Sequence, residues 1–252
     1  MRRNILILFL AAATVFACNR SGKKDIRNYY FPVRQLEDGM VYAYASLRND
    51  SLRDTTYWYY RSFPGDTAIF LTGTYYDALP APQSFVREEM VRNGMLTSEV
   101  FLYTPDSLGK QQQIPVEILS GSAFPFEVVD SGGIFLYKIR FAFPYNPEDT
   151  ITLIRNRRYL GDTTVVFQEE SHKAVIFEVR ELLESGNQSK GFVEPQYSGK
   201  EIYARGIGLV YSDKKVSRDY LLVNQLLFRC SMEELEAIFR RKFPEMVLKG
   251  AE

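Results

Sequence analysis

Ile134-Phe135-Leu136-Tyr137-Lys138-Ile139-Arg140-Phe141-Ala142-Phe143 alternates without a break. Phe135, Tyr137, Ile139, Phe141 and Phe143 fall on one side, and Lys138 and Arg140 fall on the other with Ile134, Leu136 and Ala142. A period of two in aromatic and β-branched residues is the pattern of a half-buried strand. The aromatic side is either a core wall or the lining of an apolar cavity, and the usual inside-out distribution favours core.

The same texture runs outward in both directions. The chain holds 17 Tyr and 18 Phe in 252 residues, grouped with β-branched residues. Strands are expected at 41–48, 55–63, 67–76, 84–92, 95–103, 114–119 and 134–143, then at 150–160, 163–168, 173–183, 202–211 and 220–228. Asn93-Gly94, Pro64-Gly65-Asp66, Gly161-Asp162 and Ser212-Asp213-Lys214-Lys215 read as turns between them. Short connections imply antiparallel neighbours. The segment 184–199 is the longest polar connection and reads as a loop. One helix is expected near the C-terminus. Ser231 and Glu234 form a capping box, Leu235, Ile238 and Phe239 share a face, and Arg240 to Lys242 place cations on the last turn. The fold class is therefore mainly β: a curled antiparallel sheet, an open barrel or half-barrel meander, closed by one C-terminal α-helix.

In Glu201–Tyr211, read as one strand, Ala204, Gly206 and Gly208 share a face, which calls for the C-terminal helix or a bulky ring packed close to the backbone. The segment lacks the third glycine and following helix of a phosphate loop. With the turn after it and Tyr220-Leu221-Leu222, it resembles the closing hairpin of exported bacterial β-sheet lipoproteins. In outline such domains are similar to the open barrels of LolA- and LolB-type lipoprotein carriers, although no lid helix is found between the strands here.

The N-terminus carries Arg2 and Arg3, then an apolar run from Ile5 to Ala13. That is the build of a cleaved export signal and is too short for a membrane span, which needs ~20 residues. Val15-Phe16-Ala17-Cys18 resembles the lipobox cut by lipoprotein signal peptidase. The resemblance implies a signal peptide at residues 1–17 and a diacylglycerol on Cys18. Residues 18–28 then read as a lipid-anchored tether, and 29–252 as a single mainly-β domain. Asn19 stands where an inner-membrane retention Asp would be, so the resemblance implies an outer-membrane anchor, with the side faced left open. If Cys18 carries lipid, Cys230 has no partner in the chain and reads as a small buried hydrophobe.

The 31 basic and 31 acidic residues balance. With Arg2 and Arg3 removed, acids exceed bases by two, which argues against nucleic acid. His172 is the single histidine, so neither a metal site built on histidines nor a serine triad with its elbow motif is expected. Glu88 and Glu89 point to opposite faces of a strand. No catalytic residue, cofactor or metal is expected.

Two functions compete. One is a structural or partner-binding role in the cell envelope, docking a protein through Tyr57, Trp58, Tyr59 and Tyr60. The other is binding or transport of a lipid or other apolar ligand on the concave face, through Phe135, Tyr137, Phe141, Tyr203 and Tyr211. The first leads. Cys18→Ala is expected to move the protein from the membrane to the soluble envelope fraction on cell fractionation, and retention of the variant in membranes would defeat the anchor.

Overall fold

A computed structural model describes residues 22–244, apart from 50, 80, 107, 130–132 and 188. The strands are β1 (Lys23–Asp25), β2 (Met40–Arg48), β3 (Ser51–Pro64), β4 (Ile69–Tyr76), β5 (Pro82–Val91), β6 (Gly94–Pro105), β7 (Gln111–Pro115) and β8 (Glu117–Pro125). They continue with β9 (Glu127–Val129), β10 (Ile134–Phe143), β11 (Asn146–Phe167), β12 (Glu170–Asn187), β13 (Gly191–Val193), β14 (Gln196–Ala204), β15 (Gly208–Ser217) and β16 (Tyr220–Cys230). Helix α1 (Met232–Lys242) follows.

Hydrogen-bonded neighbours run β11-β10-β8-β6-β5-β4-β3-β2-β16-β15-β14-β12, all antiparallel. β12 then pairs back onto β11, from Thr150 opposite Gly186 to Phe167 opposite Glu170. The curling expected of a large twisted sheet is thus complete, and the sheet closes into a barrel. β7 pairs with the end of β6, β13 pairs with the end of β12, and β1 and β9 form a separate two-stranded sheet.

Alternation decides what faces inward. On β2, Tyr42 and Tyr44 join the interior cluster, while Val41 and Ala43 point outward under α1. Both faces of that strand are covered, so Val41 to Ala45 are all buried. The helix starts on its capping box. Ser231 Oγ accepts from the Glu234 amide at 3.2 Å, and Glu234 Oε2 accepts from the Ser231 amide at 2.7 Å. Leu235 and Phe239 pack on Val41, Ala43, Tyr57 and Cys230. Burial, and then the nearby Glu234, push the Cys230 thiol up to about 11, which leaves it unreactive. The helix therefore lies on the convex side of the barrel and covers neither a mouth nor the concave face.

A mouth of the barrel is filled by the N-terminal segment. Ile26, Tyr30, Phe31, Val33 and Leu36 are buried in the same cluster as the barrel interior. The Ile26 amide donates to Phe126 O, the Gly206 amide to Asn28 O and the Ser62 amide to Leu36 O, each at 2.8 Å. These bonds tie the segment to three separate stretches of the rim. The expected signal peptide at 1–17, Cys18 and the first part of the tether lie outside the described residues; the expected tether at 18–28 is corrected for 23–28, where the chain already forms β1 and then enters the plug. The sequence offers little warning, because Lys23, Lys24 and Asp25 look solvated and only Ile26 is apolar.

Five local readings are revised. Residues 201–211 are a hairpin: β14 ends at Ala204, Arg205-Gly206-Ile207 turns, and Gly208 opens β15. The ring that approaches Gly208 is Phe31, not the helix. Gly161 is a bulge within the unbroken β11, since the register with β12 slips between Tyr159 and Gly161. Ser212–Lys215 lie inside β15, and the turn is Arg218-Asp219. The expected loop 184–199 is largely strand, shared by the end of β12, β13 and the start of β14. At the β5–β6 hairpin Val91 pairs with Gly94, so the turn residues are Arg92 and Asn93, one place earlier than read.

Gly208 sits at φ +106°, and a Cβ there would lie 2.5 Å from the Phe31 ring. Gly206, at φ +75°, has open space where its Cβ would be. Gly208→Ala is expected to cost on the order of 2 kcal/mol or more, from strain and overpacking together. Gly206→Ala should cost about 1 kcal/mol, from backbone strain alone. Equal losses in denaturant melts would show that the plug is not packed on Gly208.

Candidate ligand site in the barrel interior

Above the plug the barrel encloses a cavity of about 290 Å3. One side is aromatic and aliphatic, with Trp58, Tyr60, Tyr44, Leu71, Val86 and Leu209. Trp58 and Tyr60 are successive inward residues of β3 and stack at 5.7 Å with a 12° interplanar angle. Tyr44 Oη donates to Leu209 O at 2.9 Å. Burial raises the hydroxyls of Tyr30, Tyr44 and Tyr60 well above their ordinary range, so they stay protonated.

The opposite side is ionic. β11 carries Leu153, Arg155 and Arg157 inward and β14 carries Glu201 and Tyr203, all lining the cavity; Glu181 of β12 and Lys214 of β15 lie in an adjoining pocket that shares Arg155 and Glu201 with it. Arg157 donates through Nε to Glu201 Oε2 at 2.7 Å and through Nη2 to Glu201 Oε1 at 3.3 Å. Tyr203 Oη adds a third donor to that carboxylate, 2.9 Å from Oε2. Arg155 Nε lies 2.6 Å from Glu181 Oε1 and Nη2 lies 2.5 Å from it, with Lys214 against Glu181 Oε2. Burial works against both carboxylates, but the adjacent guanidiniums hold Glu201 and Glu181 below the ordinary range. Buried pairs persist when both partners are fully hydrogen-bonded.

Glu88 of β5 differs. Among the described residues its one hydrogen bond comes from Tyr30 of the plug, Oη to Oε2 at 2.5 Å. Burial pushes its carboxyl up to about 7, against the opposing effects of that hydrogen bond and of Arg157. Glu88 thus links the plug to the cavity wall.

Of the expected ligand residues, Tyr137 and Tyr203 line this cavity. Phe135 packs on the core near Met95 and Phe124, outside it. Phe141 sits edge-to-face with Phe143 at 5.4 Å. Tyr211 packs against the core and its hydroxyl donates to Asp213 Oδ2 at 3.0 Å. The four-ring run expected to dock a partner is not an exposed patch. Tyr57 is 2% exposed under Phe239, and Tyr59 packs in the same helix-covered cluster. Trp58 and Tyr60 turn into the cavity, because neighbours on a strand face opposite sides.

The ionic wall was missed from the sequence, although a signal for it exists. Val175, Phe177, Val179 and Glu181 share one face of a strand, and Leu153, Arg155, Arg157 and Tyr159 share another. A charge on an otherwise apolar face needs a buried partner.

No protein-family model and no curated protein matches the chain. It is similar to the solved structure of a candidate lipoprotein from Parabacteroides distasonis, with a TM-score of 0.54 and 10% identity over 82% of this chain and 100% of the other. It is also similar to a candidate exported protein with a YmcC-like fold from Bacteroides fragilis, with a TM-score of 0.49 and 11% identity over 80% of this chain and 99% of the other. The first likeness shows a shared fold: a mainly antiparallel β chain curled into a barrel.

Glu88 gives the fold a pH dependence of definite sign. Its folded pKa is raised, so its contribution to stability is intact below about pH 4.5 and is lost as pH rises to about 7. Glu88→Gln removes this dependence. Relative to the parent, the variant is expected to gain stability between about pH 4.5 and 7 and then level off, in denaturant melts across that range. A difference flat with pH would mean that Glu88 is not held protonated by burial.

Proposed function

We propose that this protein is a non-enzymatic binding module of the cell envelope, anchored to the outer membrane through a lipid on Cys18, with a small ligand held inside the barrel. The observation that carries this reading is the cavity of about 290 Å3, with stacked aromatic rings on one side and paired charges on the other. Ligand sites are concave, mostly apolar and supplied with a few placed polar groups, at a scale of about 300 Å3 and above. The competing partner-holding role rested on Tyr57–Tyr60 as an exposed surface, and those rings are spent on the helix and the cavity. Anchoring is supported by Val15-Phe16-Ala17-Cys18 and by the fold shared with a chain described as a candidate lipoprotein.

The test is native mass spectrometry of the protein extracted gently from its own membranes. A co-purifying small molecule, released on denaturation, is expected on the parent and absent from Val86→Trp, which fills the cavity. Recovery of the folded parent with nothing bound in repeated preparations would count against the reading.

A further inference from the structure

We infer that the ligand is a small amphipathic monoanion, with its oxyanion on the free N–H groups of Arg155 and Arg157 and its apolar body against Trp58 and Tyr60. This rests on the cavity-binding reading and names the chemistry of its ligand.

The argument is an account of donors and acceptors. A guanidinium has five N–H donors and a carboxylate has none. Glu201 accepts from Arg157 and Tyr203, and Glu181 accepts from Arg155 with the Lys214 ammonium against its other oxygen. Each arginine spends only Nε and Nη2 on its partner. No hydrogen bond among the described residues engages Nη1 of either one. Both arginines line the cavity. Arg155 and Arg157 therefore bring guanidinium donors to the cavity wall beyond those spent on Glu181 and Glu201.

The charge balance agrees. Of the charged residues that line the cavity, Arg155 and Arg157 are two cations beside Glu201, and Glu181, the partner of Arg155, is shared with Lys214 outside that lining. The third carboxyl, Glu88, is tied to Tyr30, and burial favours its neutral form. Forked guanidinium donors match a carboxylate or similar oxyanion better than they match a neutral group. The facing wall of Trp58, Tyr60, Leu71 and Val86 offers nothing to a second charge.

Trp58 is the single tryptophan of the chain, which makes the cavity its own reporter. The full chain, kept soluble in a non-ionic amphipol, would be titrated with phenylbutyrate, phenylbutyramide and phenylbutylamine while Trp58 emission is followed. Octanoate would show whether the body must be aromatic. Phenylbutyrate is expected to act saturably and at least about tenfold more tightly than the amide, with the amine weakest. Arg155→Met combined with Glu181→Met removes a pair without orphaning a buried carboxylate, and should abolish the preference while near-ultraviolet circular dichroism stays native. Equal affinity for anion and amide would overturn the anion class and leave cavity binding intact. A response to none of the probes would overturn it too, and the cavity reading would then rest on the co-purification result alone. An unchanged preference in the folded double variant would overturn the role given to Arg155.

Discussion

Pairing of β12 back onto β11 turns one face of each strand in the ring toward a shared interior, and the chemistry of that interior follows from the constraint. A charge placed there must be met inside the barrel, because burying it unpaired costs far more than a strand can return. Arg157 meets Glu201, Arg155 meets Glu181, and Tyr30 reaches from the plug to Glu88. In an open half-barrel the same side chains would face water and could point in any direction. Ring closure turns them into a fixed wall with defined donors.

The plug and the wall depend on each other. Phe31 occupies the space that Gly208 leaves, and the neighbouring Tyr30 bonds to the cavity carboxyl. The N-terminal segment is thus both the floor of the cavity and part of its chemistry. On the outside, α1 covers the one place where β2 and β3 expose an apolar outer face, at Val41, Ala43 and Tyr57.

The strands, the capping box and the antiparallel order were legible because they are written in local periods and caps. Ile134–Phe143 behaves as its alternation says, and Ser231 with Glu234 opens a helix as the motif requires. Closure was less legible, since it depends on β11 and β12 being long enough to meet along their whole length. A bulge at Gly161 carries β11 through a point that looks like a turn. The plug was illegible for a similar reason: polar residues 23–25 hide a strand whose partner lies a hundred residues away, at Glu127–Val129. Of the cavity, Tyr137 and Tyr203 could be named from aromatic faces. Arg155, Arg157 and Glu181 are marked in the sequence only as charges on otherwise apolar faces, and their partners were not legible, because pairing across different strands leaves no short-range signature.

The order in which the ring closes has a kinetic consequence. β2 pairs with β3 through a short turn, but its other neighbour is β16, with Leu222 opposite Arg48. A chain threaded outward from its N-terminus presents β2 as an open edge until nearly the last strand has arrived. Bringing such distant segments together is slow, and an unpaired apolar edge invites pairing with other chains in the meantime. Val41 and Ala43, which α1 later covers, lie on that edge. The helix follows β16 directly in the chain, so the strand that ends the exposure and the helix that shields it are delivered together.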